Sequence, residues 1–140
     1  MAQKFDYAAV LLETVDNKLL FHHRDNKPNI ANPNKIGFFG GGIDRNETPI
    51  SAAIREIKEE LNLDLKLKEL IPFCDYKKSE EIHGINQLCK VFLVKNVDIT
   101  KLRLNLNEGQ GIVSISREDN ISDYNLTIMV KELIYKYWNI

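Results

Sequence analysis

With 140 residues, 44% apolar and 28% charged, the chain has the length and balance of one globular domain able to bury a real core. A formal net charge of −1 offers nothing to draw in a nucleic-acid polymer or a membrane surface. No apolar run approaches the roughly 20 residues that span a bilayer, and no basic segment followed by an apolar stretch opens the chain. The expectation is a single domain over residues 1–140 in the cytoplasm. Tyr7 to Leu12 is a compact apolar run and predicts a central strand. Asp16-Asn17 signals a turn, and Lys18 to Arg24 predicts a second strand. Asp25 to Lys35, with Pro28, Pro33 and four Asn, predicts a loop. Gly37-Phe38-Phe39 reads as a short strand or extended lead into a glycine turn at Gly40-Gly41-Gly42.

The helix that follows is the most informative stretch. Thr48 is a good N-cap, Pro49 suits the first helical position, and Asn62 can adopt the left-handed conformation that ends a helix. Between them, Ile50, Ala53, Ile54, Ile57 and Leu61 form an apolar stripe, with Glu56, Glu59 and Glu60 in an arc of roughly 100° beside it. Carboxylates this close repel: at an effective dielectric of about 20, a pair about 4 Å apart costs on the order of 4 kcal/mol. A divalent cation would relieve the repulsion, and hard oxygen ligands suit Mg²⁺ or Mn²⁺. The plain alternative is a solvated acidic face balanced by Arg55 and Lys58.

Downstream, Leu65, Leu67 and Leu70-Ile71 predict a strand broken at Pro72, and Phe73 to Tyr76 reads as extended. Lys77 to Glu81 is polar and predicts a hairpin tip. Ile85 to Val97 predicts a buried strand, Asp98 to Asn107 runs into a loop with Glu108-Gly109-Gln110-Gly111 at its tip, and Ile112 to Ile115 predicts another strand. Ser122 is the expected cap of a last helix whose apolar set is Leu126, Met129, Val130, Leu133, Ile134, Tyr137 and Trp138. Strands, helix, strands, helix predict an α/β fold, a mixed sheet covered on each face by a helix. Cys74 and Cys89 match neither a zinc pattern nor a Cys-x-x-Cys pair and read as buried free thiols. His22, His23 and His83 are not spaced as a ligand set; they read as strand or loop residues, with His23 near the site by position.

Gly41, Glu47, Arg55-Glu56, Glu59-Glu60 and Leu63 stand at the spacing Gly-x5-Glu-x7-Arg-Glu-U-x-Glu-Glu-x-Gly-U, where U is aliphatic. This stretch resembles the Nudix box. Ile57 and Leu63 fill both aliphatic positions, and only the last Gly departs, replaced by Asn62. The resemblance implies an α/β/α sandwich with the box as a loop-helix-loop. It also implies Mg²⁺-dependent hydrolysis, with Mn²⁺ as a substitute, of a pyrophosphate bond in a nucleoside diphosphate linked to another group. By the same resemblance Glu56, Glu59, Glu60 and the Gly41 carbonyl are metal ligands, while Glu47 and Arg55 brace the loop against the helix. Glu108-Gly109-Gln110 resembles a motif of the MutT branch in which the late Glu also reaches the metal; the plain reading is a turn residue before Gly109. Glu56 and Glu108 are both candidates for the base, and a metal-bound hydroxide with little help from a base is a third reading. Glu56, Glu59 and Glu108 are thus the catalytic candidates.

Arg24 stands where MutT-like enzymes place an Arg on substrate phosphate; the plain alternative pairs it with Asp25. Phe5, Phe39 and the Asp123 to Asn125 region, Asn125 above all, are expected walls of a base pocket. The leading substrate is a nucleoside triphosphate, oxidised forms included. Arg24-Asp25-Asn26-Lys27-Pro28 resembles an Arg-x-Asn-x-Pro stretch of GDP-mannose hydrolases, which makes nucleotide sugars the runner-up. ADP-ribose and dinucleoside-polyphosphate branches often carry Pro or Tyr downstream of the box, where Lys78 and Glu80 stand here. A module that senses a nucleotide without turnover is the reading from another class; such modules commonly lose box carboxylates, and all are kept here. Dimers are frequent among relatives, so the resemblance admits a homodimer.

Overall fold

The structure, a computed structural model, describes residues 4–30, 33–80, 85–104 and 111–140. Within them the order is β1 (Tyr7–Thr14), β2 (Leu19–His23), β3 (Ile36–Gly37), β4 (Phe39–Gly42), α1 (Pro49–Leu61), β5 (Ile71–Glu80), β6 (Ile85–Val97), β7 (Gly111–Ile115) and α2 (Ile128–Trp138). The strands join one mixed sheet, ordered β3-β2-β1-β6-β5, with β4 added to β1 and β7 to β2. β1 runs parallel to β6 from Tyr7↔Cys89 to Thr14↔Val97, while its pairings with β2 and β4 are antiparallel.

β1 is the axis, and alternation along it assigns the two faces. Ala8, Val10 and Leu12 pack with Phe39, Phe92 and Val94 against Ala53, Ile57 and Leu61 of α1. Leu11 packs with Leu19, Phe21, Leu93 and Ile115 against Val130, Ile134 and Trp138 of α2. Burial on both faces explains why β1 reads as a continuous apolar run. The result is the α/β/α sandwich expected. No helix among the described residues is long and apolar enough to cross a membrane.

α1 has the predicted boundaries and caps. Ser51 N–H donates to Thr48 Oγ1 at 3.2 Å, and Asn62 ends the helix at φ 54°, its N–H donating to the Lys58 carbonyl at 3.0 Å. Elsewhere the structure corrects the sequence reading. Gly40-Gly41-Gly42 is not a turn but strand, paired with Ala9, Ala8 and Tyr7 of β1. A Cβ on Gly40 would stand 2.2 Å from the Ala8 carbonyl oxygen, so glycine here permits close approach of two backbones. Leu67–Glu69 is a 3₁₀ turn rather than strand. Pro72 lies inside β5, tolerated because β5 is the sheet edge and its register shifts between Pro72 and Cys74. Lys77 to Glu80 are strand rather than tip, continuing β5 in pairs ending at Glu80↔Ile85, and Glu81 lies outside the described residues. Thr127, not Ser122, caps α2: Val130 N–H donates to its Oγ1 at 3.2 Å, while Ser122 sits in a separate 3₁₀ turn capped by Asn120. Both described cysteines are free thiols, Cys89 buried and Cys74 half-buried.

β1 shares one edge between two strands. Its start pairs with β4 over Tyr7 to Val10, and its end with β2 over Leu12 and Glu13. β2 and β4 therefore diverge, and the opening between them lies beside α1.

Candidate active site

The carboxylates of α1 are held from two sides. On the outer side, Arg55 makes a fork with Glu47: Nε donates to Oε2 and Nη2 to Oε1, each at 2.8 Å. Nη2 also donates to the Gly42 carbonyl at 3.0 Å, and Nη1 to Glu56 Oε1 at 2.9 Å, with Glu59 Oε1 at 3.6 Å. One guanidinium thus ties the loop before α1, the end of β4 and two helix carboxylates together, a task its planar donor set suits. The Arg55 fork, with the Asp44 N–H, holds the Glu47 carboxyl down at about 2. Glu47, and after it Glu56, in turn push the Arg55 pKa up.

On the sheet side, Glu60 is 5% exposed and its Oε1 accepts from Gly40 N–H at 2.8 Å. Its Oε2 stands 3.7 Å from His22 Nδ1. The His22 ring is stacked on Phe39, centroids 5.1 Å apart and planes 16° from parallel. Glu56 lies against Gly41 so tightly that a Cβ there would come within 2.5 Å of its Oε1. Glu56 and Glu60 open onto a cleft of about 250 Å³ whose other walls are His22, Arg24, Asp25, Ile30, Phe38 and Gly40.

Arg24, Gly41, Glu56 and Glu60 are therefore brought to one place. Glu59 is half exposed beside Arg55 and does not line the cleft. Phe39 is a correction: it is fully buried under α1, because strand alternation turns it to the core, and its neighbour Phe38 lines the cleft instead, edge-on to Phe21 at 5.4 Å. Asn125 is exposed and is not among the described residues that line the cleft. Its carbonyl accepts from Ile36 N–H at 2.8 Å and its Nδ2 donates to the Asn34 carbonyl at 3.3 Å, so it ties loop to sheet. Phe5 lies beneath the Lys90 ammonium, 5.4 Å from ring centroid to Nζ. His22, not His23, is the histidine at the cleft; His23 Nε2 pairs with Asn34 Oδ1 at 3.0 Å. His22 follows Leu20 on the α1-facing phase of β2, a face set by the pairing register of the strand. Asp25 pairs at 3.8 Å with Lys27. Glu108 and His83 lie outside the described residues. Among the described residues no three His, Cys, Asp or Glu side chains are gathered as a closed metal-ligand set.

Comparison with known proteins places this geometry. The fold matches a MutT NUDIX hydrolase from Burkholderia pseudomallei at TM-score 0.72, 20% identity, over 93% of this chain and 95% of that one. It matches a MutT protein from Methanosarcina mazei Go1 at TM-score 0.75, 15% identity, over 99% and 96%. It also matches a C. elegans Ap4A hydrolase at TM-score 0.66, 21% identity, over 95% and 96%. Residues 4–125, which hold the whole Arg55-centred stretch and both strands that flank the cleft, match the family model of the NUDIX domain, and the chain belongs to the Nudix hydrolases.

Proposed function

We propose that this chain hydrolyses a pyrophosphate bond of nucleoside triphosphates, oxidised forms included, to the nucleoside monophosphate and pyrophosphate, with Mg²⁺ as cofactor. Nudix hydrolases in general act on nucleoside diphosphate derivatives and use a divalent metal. The observation that carries the reading is the placement of Glu56 and Glu60 against Gly41 and Gly40 at the wall of a cleft that Arg24 shares. An all-oxygen donor set fits Mg²⁺, or Mn²⁺ in its place. Glu56, Glu59, Glu60, the Gly41 carbonyl and, beyond the described residues, Glu108 are the proposed ligands. The bound ion would neutralise phosphate oxygens and make water more acidic.

The chain's own residues do the rest. Arg24 offers a planar pair of donors to a phosphate at the cleft mouth. Glu56 or Glu108 takes the proton of the attacking water. Arg55 and Glu47 hold Glu56 in place, so that catalysis draws on positioning more than on covalent chemistry.

A nucleotide sugar is the second reading, favoured by Arg24 and Asp25 of the Arg-Asp-Asn-Lys-Pro stretch standing in the cleft wall. One screen separates them: purified protein with Mg²⁺ against nucleoside triphosphates, nucleotide sugars, ADP-ribose and dinucleoside polyphosphates. Pyrophosphate with a nucleoside monophosphate is the expected product pair. Free sugar with a nucleoside diphosphate would transfer the assignment to the second reading, and tight nucleotide binding with no product over hours would make the protein a sensor.

A further inference from the structure

β2 carries an inconsistency that packing does not explain. Leu19, Leu20 and Phe21 are fully buried, and the next buried position is a histidine, His22, 6% exposed. Its side chain occupies the α1-facing row with Leu20, where an aliphatic residue would fill the space without any polar atom to satisfy. What the imidazole adds is its surroundings. The face of the ring lies on Phe39, which fixes its plane. Nδ1 faces Glu60 Oε2 at 3.7 Å, an electrostatic contact longer than a direct hydrogen bond. The other Glu60 oxygen is held by Gly40 N–H. Arg55 reaches Glu56 and Glu59 from the outer side of the helix. Glu60, the most buried of the three, is held from the sheet.

We infer that His22 is a positioning residue for Glu60, the sheet-side counterpart of Arg55. It faces one carboxylate oxygen, while Gly40 holds the other, and so sets the orientation in which Glu60 meets a divalent cation. This rests on the metal-dependent reading of the cleft. Phe39 acts through His22: the aromatic expected at the substrate instead supports the ring that supports the carboxylate. The role needs only a polar N–H facing Glu60 from the Nδ1 position, at the longer range of an electrostatic contact. An asparagine can place an amide nitrogen near that point, whereas leucine fills the space without a donor.

The test is Mn²⁺ binding to the full-length protein without substrate, followed by electron paramagnetic resonance, for wild type, His22→Leu and His22→Asn. Half-saturating Mg²⁺ for turnover is measured in parallel, and thermal unfolding reports the fold. His22→Leu should weaken Mn²⁺ binding about 10-fold and raise half-saturating Mg²⁺ in step. His22→Asn should recover most of that loss. If His22→Leu does not fold, His22→Gln, whose amide reaches the Nε2 rather than the Nδ1 position, takes its place and should show the same weakening. Wild-type Mn²⁺ affinity in the folded variant, or equal weakening in Leu and Asn variants, would overturn the role of His22 while leaving the function intact. Wild-type protein that neither binds Mn²⁺ nor turns over any pyrophosphate substrate overturns the function, and the role of His22 with it.

Discussion

At Gly40 the backbone has φ 139° and a Cβ would meet the Ala8 carbonyl oxygen at 2.2 Å; at Gly41 the obstacle is the carboxylate end of Glu56. Backbone cannot yield and a side-chain terminus can. Gly40→Ala should therefore destabilise the protein by about 3 kcal/mol in chemical denaturation. Gly41→Ala should unfold within about 0.5 kcal/mol of wild type yet lose on the order of 100-fold in turnover, because Glu56 must swing aside. Equal effects at the two positions would contradict this account of the strand. Glu47 makes a pH prediction at the same scale. Its carboxyl is held at about 2 in the fold against an ordinary 4.5. A lowered folded value means that the Arg55 fork stabilises fully above pH 4.5 and loses its effect as pH falls toward 2. Acid titration of stability should show that decline in wild type and a flatter profile in Glu47→Gln. The Arg55–Glu47 pair was legible because both residues belong to a fixed spacing. His22 and Phe38 were not, because a residue's face in a short strand depends on register. His22 pairs with Gly37 and Ile112, and no local pattern announces either partner.

α1 is the element whose ends the sequence announces most clearly, since Thr48, Pro49 and Asn62 each act through local backbone chemistry. Thr48→Ala should cost about 1 kcal/mol in thermal or denaturant unfolding, by loss of the acceptor for Ser51 N–H. At Asn62, held at φ 54°, Gly should be neutral or stabilising and Ala should cost about 1 kcal/mol. The elements misread are those decided by tertiary pairing. Pro72 suggests a break, yet an edge strand with a register shift accommodates it. Lys77 to Glu80 are polar, yet they ladder onto β6 through Glu80↔Ile85. Ser122 and Thr127 are both good caps, and the choice between them is made by Thr127 N–H, which donates to the Ile36 carbonyl at 3.0 Å and locks the helix start to the sheet.

At the scale of the whole molecule, the cleft exists because β1 divides one edge between β4 and β2. β4 brings Gly40 and Gly41, β2 brings His22 and leads into Arg24, and α1 lays its carboxylates across the gap. The family was legible in the α1 stretch, whereas the divided edge of β1 was not, because it arises from two antiparallel pairings of a strand that also pairs in parallel with β6. Under the proposed function, these carboxylates carry metal-dependent pyrophosphate cleavage. The most direct measurement follows a nucleoside triphosphate by ³¹P NMR with wild type and with Glu56→Gln, each with Mg²⁺ and with the metal chelated. Wild type should release pyrophosphate and the nucleoside monophosphate only with Mg²⁺, and the folded variant should be slower by at least about 100-fold. Release by wild type without metal, or by Glu56→Gln at the wild-type rate, would contradict the account.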